Sequence, residues 1–310
     1  MICILALIVF SVLGIFSATH REMAKEALDC VFRRITLRPC NTGFKEKIKS
    51  RLVARLLNRS VFMAKFFNRH YELVSWVFFV LMVASTFYVV KGGYNYYLYG
   101  SCNGLNQSGF CAFDPKGENN KVSEINPSCG LEVKSEKNVT LEGVDLLTLP
   151  TKNIGSKDTV VLIGCYSCDY TRKAYADIQK LVREKKTNYV FADFPVKEAS
   201  NYSSELGYCV YKEYGERFWA FNDYLFTVDK VLIYQPDYVN KILENFNFDV
   251  NKVNACINDP ETKQIISYQV NELKKTHLYG TPTVFINGKA FVGPKPYRVY
   301  KSTLNKFIIF

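Results

Sequence analysis

The stretch LIGCYSCDYTRKA, residues 162–174, places two cysteines three positions apart where an apolar run changes to a helical pattern. The preceding TVVLIG, Thr159 to Gly164, reads as a short buried strand. Residues 169–184 carry apolar side chains at helical spacing. Two cysteines at such a junction suit a redox centre, half of a metal site or two core residues. The rest of the sequence decides between these interpretations.

The length and composition allow a sizeable folded protein. A chain of 310 residues that is 48% hydrophobic can bury a substantial core in one or two domains. Ten cysteines are too few for a small disulfide scaffold, yet more than a reducing cytosol usually leaves unused. The compartment therefore determines how the cysteines are interpreted.

Two uncharged apolar segments predict transmembrane helices. The first runs from Ile2 to Ala18 and is roughly 25 Å long as a helix, slightly short of a bilayer core. The second runs from Leu73 to Val90. We expect spans at 1–19 and 71–92, with a buried core helix as the alternative for each. A cleaved signal peptide is a further alternative for the first segment, but no basic residue precedes its apolar run.

The segment between the two spans is strongly basic. Residues 20–70 hold thirteen Lys or Arg against four acids, which is +9 of the chain's formal charge of +11. A nucleic-acid protein has a similar charge, but a basic loop between two spans is what the positive-inside rule predicts. We therefore expect a cytoplasmic loop at 20–70, no nucleic-acid partner, and everything after Val90 outside the cytoplasm.

This topology divides the cysteines between two compartments. Cys30 and Cys40 fall in the reducing loop, match no metal spacing and are interpreted as inert. The oxidising side receives Cys102, Cys111, Cys129, Cys165, Cys168, Cys209 and Cys256. The structural disulfides of the protein are therefore expected on that side of the membrane.

Two structural disulfides are considered. Residues 93–137 are rich in Gly, Asn, Ser and Tyr and read as an extracytoplasmic tether. Within it Cys102 and Cys111 can close a small loop, with Cys111–Cys129 as the other pairing. A disulfide between Cys209 and Cys256 is preferred over two buried free thiols.

Residues 138–310 have the pattern of a globular α/β domain. VTLEGVDLLTLPT alternates like a strand, NYVFADFPV reads as another strand, and a helical block occupies about 197–278. TPTVFING and KAFVG read as a hairpin because Asn287-Gly288 is a strong turn signal, and a last helix starts near Pro296. The order predicts an α/β sandwich with a helical insertion.

At this point the chain resembles a known family. The cysteine pair together with FADFPV, GYCVYKEYGERFWAFNDYLF and YGTPTVFINGK is similar to the DsbA-like thioredoxin-fold thiol–disulfide oxidoreductases, over roughly residues 138–310. The resemblance implies a thioredoxin fold with a helical insertion. The two transmembrane helices and the basic cytoplasmic loop that precede it indicate a membrane-anchored member.

The resemblance also implies a substrate site beside the cysteines. It implies a cis bond between Thr281 and Pro282, lying against the cysteine pair, where the backbone pairs with an extended substrate strand. The dipeptide between the cysteines, Tyr166-Ser167, is assigned to the same site. A Pro that opens an edge strand is the alternative for Pro282.

The chemistry of the pair follows from its spacing. Exchange needs a thiolate, and Cys165 is expected to gain one from the helix N-terminus, with Gly164 leaving room for a substrate chain. Cys168, one turn further on, is expected to resolve the mixed disulfide. Structural zinc needs four ligands and the chain has only three histidines, so we expect no metal and no cofactor.

The direction of electron flow is less constrained. Tyr166-Ser167 is neither Pro-His nor Gly-Pro and does not fix the potential, and strand 159–164 carries no acid. Asp158 and Asp193 are candidates for proton transfer, and neither is assigned. The prediction is a membrane-anchored oxidoreductase that acts on exported cysteine-containing proteins. An oxidase is favoured over a reductase. Its expected redox partner is of the DsbB or vitamin K epoxide reductase type; the alternative is a non-catalytic adaptor that binds a membrane partner.

Overall fold

The chain divides into two compact units, Met1–Val90 and Lys91–Phe310. The computed structural model describes residues 7–11, 13, 15, 17–36, 38, 42–58, 60–107, 109–124, 139–195 and 201–305. Cys40 and Cys129 lie outside the described residues, so the alternative pairing of Cys111 with Cys129 falls there too.

The first unit contains helices α1 (Ala18–Ile35) and α2 (Thr42–Leu57) and most of α3 (Val61–Tyr99). A small apolar cluster joins α1 and α2. The buried members of that cluster are Met23, Ala27, Cys30 and Ile48.

Helix α3 is the one helix within the described ranges that is long and apolar enough to cross a membrane, by length and composition alone. It has 39 residues, with non-helical backbone angles at His70. The second predicted span, 71–92, lies inside it. Nine of the nineteen residues of the first predicted span, 1–19, are not described. One candidate span is therefore found where the sequence predicted two.

Cys30, one of the two cysteines of the basic segment, differs from its prediction. Cys30 is disulfide-bonded, not an inert thiol. A disulfide is rare in a reducing cytosol, so this bond does not match the compartment that the positive charge predicts for residues 20–70. The charge of a loop indicates on which side of a membrane the loop lies, whereas the disulfide shows only that a second sulfur lies within bonding distance.

The described strands of the second unit are β1 (Ser123–Glu124), β2 (Thr151–Lys152), β3 (Thr159–Gly164), β4 (Asn188–Asp193), β5 (Gly280–Thr281), β6 (Thr283–Ile286) and β7 (Lys289–Val292). Five of them form a mixed sheet of order β2-β4-β3-β6-β7. β3 and β4 run parallel, and the other neighbours are antiparallel. A separate pair of two-residue strands, β1 and β5, is antiparallel.

Helices cover the sheet, and five of those described lie between β4 and β5. The expected α/β fold with a helical insertion is confirmed. The helices are α4 (Asp169–Lys185), α5 (Asn201–Tyr214), α6 (Phe218–Leu225), α7 (Pro236–Asn245), α8 (Val250–Asn258), α9 (Pro260–Lys274) and α10 (Tyr297–Leu304).

The central strand β3 divides the core because its side chains alternate between the two faces of the sheet. Val160 and Leu162 pack into the larger cluster, with α4, α10 and the helical insertion. Val161 and Ile163 pack into the smaller cluster on the other face. The strand is therefore fixed on both sides, and its carboxyl end is a rigid support for the residues that follow.

The segment predicted as a strand before β2 forms turns. Residues 139–150 have no strand pairing, and Gly143 has a φ of +74°. Their alternating apolar pattern comes from side chains that reach the smaller core cluster from a turn, among them Leu141, Leu146 and Leu149. Alternation alone does not distinguish a strand from such a packed loop.

The segment predicted as a tether is docked on the sheet domain. Asn106 donates from Nδ2 to the carbonyl of Ala290 at 3.0 Å, and the amide of Val292 donates to Asn106 Oδ1 at 2.8 Å. A disulfide joins Cys102 to Cys111 in this segment. Gly, Asn and Ser thus serve here as turn and hydrogen-bonding residues of a folded segment.

A second disulfide joins two helices of the insertion, from Cys209 of α5 to Cys256 of α8. The hairpin predicted at Asn287-Gly288 is present, since β6 and β7 pair across it. Both turn residues have positive φ, at 50° and 83°, as a two-residue turn of this type requires.

Candidate active site

The cysteine pair lies where β3 ends and α4 begins. Cys165 follows Gly164 directly, and Cys168 is the N-cap residue of α4. The amide of Cys168 donates to the carbonyl of Cys165 at 3.1 Å, and the amide of Arg172 donates to the carbonyl of Cys168 at 3.0 Å. Both cysteines are reduced, their side chains contact each other, and they are 0% and 6% exposed.

Position 164 requires glycine because there is no room for a side chain. A Cβ on Gly164 would lie 2.5 Å from Cγ2 of Thr171, which is too close for any side chain. Thr171 in turn accepts a 3.3 Å hydrogen bond from the amide of Cys165 at its Oγ1. The glycine therefore lets Thr171 hold the backbone of Cys165, and does not open the surroundings to a substrate chain as the sequence suggested.

Thr281 and Pro282 lie beside the pair. The bond between them is cis. Thr281 Oγ1 donates to Cys168 Sγ at 3.2 Å, and the carbonyl of Pro282 accepts from the amide of Gly293 at 2.8 Å. The structure thus brings together four of the residues that the sequence assigned to this site: both cysteines, Thr281 and Pro282.

The two residues between the cysteines differ from each other. Ser167 is partly exposed, with its Oγ 3.1 Å from Cys165 Sγ. Tyr166 is fully buried and donates from its hydroxyl to Asn222, whose Nδ2 donates to the hydroxyl of Tyr175 at 2.7 Å. The Tyr166 side chain therefore attaches the cysteine loop to the helical insertion, and only Ser167 of the dipeptide is open to a substrate.

The thiolate is stabilised on Cys168. Hydrogen bonds from Cys165, Ser123 and Thr281 lower the pKa of the Cys168 thiol to about 7, against the opposing effect of burial. Its hydrogen bond to Cys168 and its burial raise the pKa of the Cys165 thiol. The sequence placed the helix N-terminus at Cys165, whereas the N-cap residue is Cys168. The assignment of Cys165 as the nucleophile stays a prediction.

Asp193 is the acid that the fold brings to the pair. It ends β4 in register with Gly164. Its Oδ2 accepts hydrogen bonds from the hydroxyls of Ser203 and Ser204, each at 2.8 Å. Burial, followed by repulsion from Cys165, raises the pKa of the Asp193 carboxyl well above its ordinary value. A buried carboxyl with a raised pKa is suited to exchange a proton with a thiol.

Asp158, the other candidate, lies at the opposite end of β3. It precedes Thr159, and its Oδ1 accepts a 2.8 Å hydrogen bond from Asn287 Nδ2 in the hairpin turn. The six residues of β3 separate it from Cys165 by roughly 20 Å of strand. Asp158 therefore supports the turn and has no contact with the cysteines.

Arg172 was not found by the sequence analysis. Its guanidinium donates to backbone carbonyls of the cysteine loop and of the helical insertion, and so joins the two. The acceptors are the carbonyls of Tyr166 at 2.6 Å, Val228 at 2.6 Å, Phe226 at 3.1 Å and Leu225 at 3.2 Å. Nothing in a one-dimensional pattern separates this arginine from the exposed basic residues of the same helix.

Within the described ranges, no group of three or more His, Cys, Asp or Glu side chains is arranged to hold a metal ion. The site that the described residues define is thus a buried dithiol with a hydroxyl donor, Thr281, and a buried carboxyl, Asp193, whose pKa is raised.

Comparison with known proteins agrees with this geometry. The family model described as Thioredoxin matches residues 151–306, about half of the chain. The protein therefore belongs to the thioredoxin family. No curated protein matches the sequence significantly.

Three solved structures illustrate the likeness. The thiol-disulfide exchange protein alpha-DsbA2 from Wolbachia pipientis is 23% identical, with 52% of this chain and 87% of that chain covered and a TM-score of 0.45. A thioredoxin-like oxidoreductase from Silicibacter pomeroyi DSS-3 is 18% identical, with 56% and 97% covered and a TM-score of 0.46. BdbD from Bacillus subtilis, in its oxidised form, is 18% identical, with 53% and 94% covered and a TM-score of 0.46.

Proposed function

We propose that this protein is a membrane-anchored, DsbA-like thiol–disulfide oxidoreductase that acts on exported proteins through Cys165 and Cys168. The observation that carries the proposal is the contact of the two thiols at the start of α4, with the Thr281 hydroxyl 3.2 Å from Cys168 Sγ. A structural pair of cysteines would gain nothing from a donor aimed at one sulfur, whereas an exchanging pair needs its thiolate stabilised.

The proposed reaction starts from the Cys165–Cys168 disulfide. A substrate thiolate attacks Cys165 Sγ, the intramolecular S–S bond breaks, and Cys168 leaves as a thiolate. A second substrate thiolate then attacks the substrate sulfur of the mixed disulfide and releases Cys165. The substrate dithiol is oxidised to a disulfide, and the enzyme receives two electrons and two protons. In the reverse direction Cys165 is the nucleophile and Cys168 the resolving residue.

The stabilised thiolate supports the oxidising direction. Cys168 is the leaving group when a substrate is oxidised, and a leaving thiol of lower pKa departs faster. A lowered pKa of the Cys168 thiol also favours the reduced form of the enzyme. The raised pKa of Cys165 makes it a poor attacking thiolate for substrate reduction.

The membrane location rests on helix α3 and on charge. We propose that α3 anchors the chain, that the thioredoxin domain is extracytoplasmic and that residues 20–70 are cytoplasmic. The disulfides Cys102–Cys111 and Cys209–Cys256 support an oxidising compartment for the domain. The Cys30 disulfide is evidence against a cytoplasmic location of the basic segment. An oxidase so placed requires a membrane redox partner, such as a quinone-linked protein of the DsbB or vitamin K epoxide reductase type, to accept its electrons.

The test is oxidation of a reduced two-cysteine peptide by the full chain in detergent, with glutathione disulfide present to re-oxidise the enzyme. Cys165→Ser and Cys168→Ser are each expected to abolish turnover, and Cys165→Ala should not trap a mixed disulfide. The matched control Cys102→Ser/Cys111→Ser, which also removes sulfurs, is expected to retain turnover. If the native protein binds the peptide but exchanges no disulfide with it, the result would instead indicate a non-catalytic adaptor.

A further inference from the structure

We propose that the short strand β1 covers the edge of β5, beside the cysteine pair, with which an extended substrate would pair. The substrate must displace β1 before it reaches the thiols. This inference rests on the proposed function and adds a control of access to the same site. The relevant segment, here named the strap, is residues 118–124.

The strap pairs with the strand that leads into Pro282. Ser123 is opposite Thr281 and Glu124 is opposite Gly280, in antiparallel register. Thr281 is also the residue whose hydroxyl contacts Cys168, and Ser123 itself hydrogen-bonds to the Cys168 thiol. An incoming peptide that pairs with β5 would need the same backbone groups, so the two occupants exclude each other.

The fit between strap and β5 leaves no spare room. A Cβ placed on Gly280 would lie 2.5 Å from Cγ2 and 2.6 Å from Cβ of Val122, and 3.1 Å from the carbonyl oxygen of Ser123. No positive φ requires glycine at this position, so the glycine is explained by the close approach of the strap.

The other end of the strap is firmly anchored. Lys295, only 2% exposed, donates from Nζ to the carbonyl of Asn119 at 2.9 Å and to Asn120 Oδ1. Asn119 donates from Nδ2 to the carbonyl of Gly100 at 2.9 Å. Gly293 lies so close to Asn120 that a Cβ there would meet its backbone at 2.9 Å.

This arrangement suits a displaceable cover. The described pairing with β5 is only two residues long, and so short a ladder contributes little by itself. The anchor at Asn119 and Asn120 keeps the strand close to β5 when it is displaced, so it returns at a high effective concentration. Val122, Ser123 and Glu124 carry no sulfur, so the strap fills the edge without being oxidised.

The first test measures the position of the strap without needing catalysis. In the full chain in detergent, Ser123→Cys combined with Cys165→Ser is expected to form a disulfide with Cys168 when copper phenanthroline is added as oxidant, identified by peptide mass. The control Lys116→Cys with Cys165→Ser, treated in the same way, introduces a thiol at an exposed position just before the strap and is expected to form none. Absence of the first bridge would overturn the inference.

The second test measures access to the thiols. Ser123→Pro removes the backbone N–H at position 123, and it is expected to speed iodoacetamide alkylation of the reduced Cys165 and Cys168 by at least about tenfold. Val122→Gly, which removes the packing on Gly280, is expected to act in the same direction. The control Glu124→Gln changes a side chain of the same strand but keeps the backbone pairing with Gly280, and it should change the rate less than about twofold.

The outcomes separate this inference from the proposed function. If the native chain, Ser123→Pro and Val122→Gly are alkylated at equal rates, the inference that the strap covers the thiols is wrong, even if all three proteins oxidise peptides. Faster alkylation in the two variants, with no peptide oxidation by any form of the protein, would support the strap as a cover and contradict the oxidoreductase.

Discussion

Thr281 Oγ1 donates a 3.2 Å hydrogen bond to the sulfur of Cys168, a residue 113 positions earlier in the chain. The bond joins strand β5 to the N-cap of α4, and both groups are buried. A buried hydroxyl aimed at a sulfur favours the charged form of that sulfur, because few other donors are available to it there. This contact connects the strand beside Pro282 to the chemistry of the pair.

Replacing Thr281 by Val should raise the pKa of the Cys168 thiol. Val has the same shape but no hydroxyl, so one of the hydrogen bonds that stabilise the thiolate is lost, and the pKa should rise from about 7 toward its ordinary value by ~1 unit. The ultraviolet absorbance of the thiolate, titrated in the reduced protein, measures this.

The matched control for that titration is Thr283→Val. The Thr283 hydroxyl is buried and donates to the carbonyl of Gly280 at 2.8 Å, not to a sulfur. Its loss should leave the titration midpoint unchanged. Equal shifts in the two variants would mean that the Thr281 hydroxyl does not act on Cys168 directly.

Replacing Asp193 by Asn should slow thiol–disulfide exchange while stabilising the protein. The variant cannot pass a proton to or from Cys165, and a loss of roughly tenfold or more in exchange rate is expected. Because burial raises the pKa of Asp193, the folded state holds a proton that the unfolded state releases above about pH 4. The free energy of unfolding therefore falls as pH rises through that window, and the Asn variant should lack this slope.

Denaturant unfolding at several pH values measures the slope, and exchange kinetics measure the proton transfer. Asp158→Asn is the control, since Asp158 bonds Asn287 at the far end of β3 and should leave the rate unchanged. If Asp193→Asn exchanges at the native rate across the pH range, Asp193 is only a buried structural group.

Replacing Arg172 by Ala should destabilise the domain and loosen the cysteine loop. The change removes a charged donor from four carbonyls and leaves some of them without a partner, for a loss of about 2–4 kcal/mol in the free energy of unfolding. Denaturant titration measures the loss. Arg183→Ala, at an exposed position of the same helix, should cost less than ~0.5 kcal/mol. Similar losses in both variants would show that Arg172 acts through its charge or helix propensity alone.

The proposed topology predicts which lysines face the outside of the cell. A membrane-impermeant amine reagent applied to intact cells should label Lys186 of the thioredoxin domain and not Lys25 of the basic segment, although both side chains are exposed. After permeabilisation both should be labelled. Labelling of Lys25 in intact cells would place the basic segment in the oxidising compartment, in agreement with the Cys30 disulfide.

The sequence predicted the fold wherever a pattern has a local cause. The buried run of β3, the periodicity of α4 and the turn at Asn287-Gly288 each depend on neighbours within a few residues, and each is found in the structure. The alternation in residues 139–150 failed as a strand signal because packing of a turn onto the core gives the same pattern.

The environment of the cysteines could be predicted only in part. The spacing of Cys165 and Cys168 indicated exchange chemistry, but the residues that set their charges come from distant parts of the chain. Ser123 and Thr281 reach Cys168 through strand pairing, and Asp193 reaches Cys165 through the register of β4 on β3. Such contacts have no signal in a single sequence, because side-chain identity does not state which strands are neighbours.

The most direct test of the central claim is the reduction potential of the Cys165/Cys168 couple in the full chain, equilibrated against glutathione with the thiols counted by mass spectrometry. The proposed oxidising direction predicts a couple near the roughly −120 mV of strong disulfide donors. A value near about −270 mV would contradict the proposed direction and make the protein a reductant. A pair that does not cycle at all would contradict the enzyme itself.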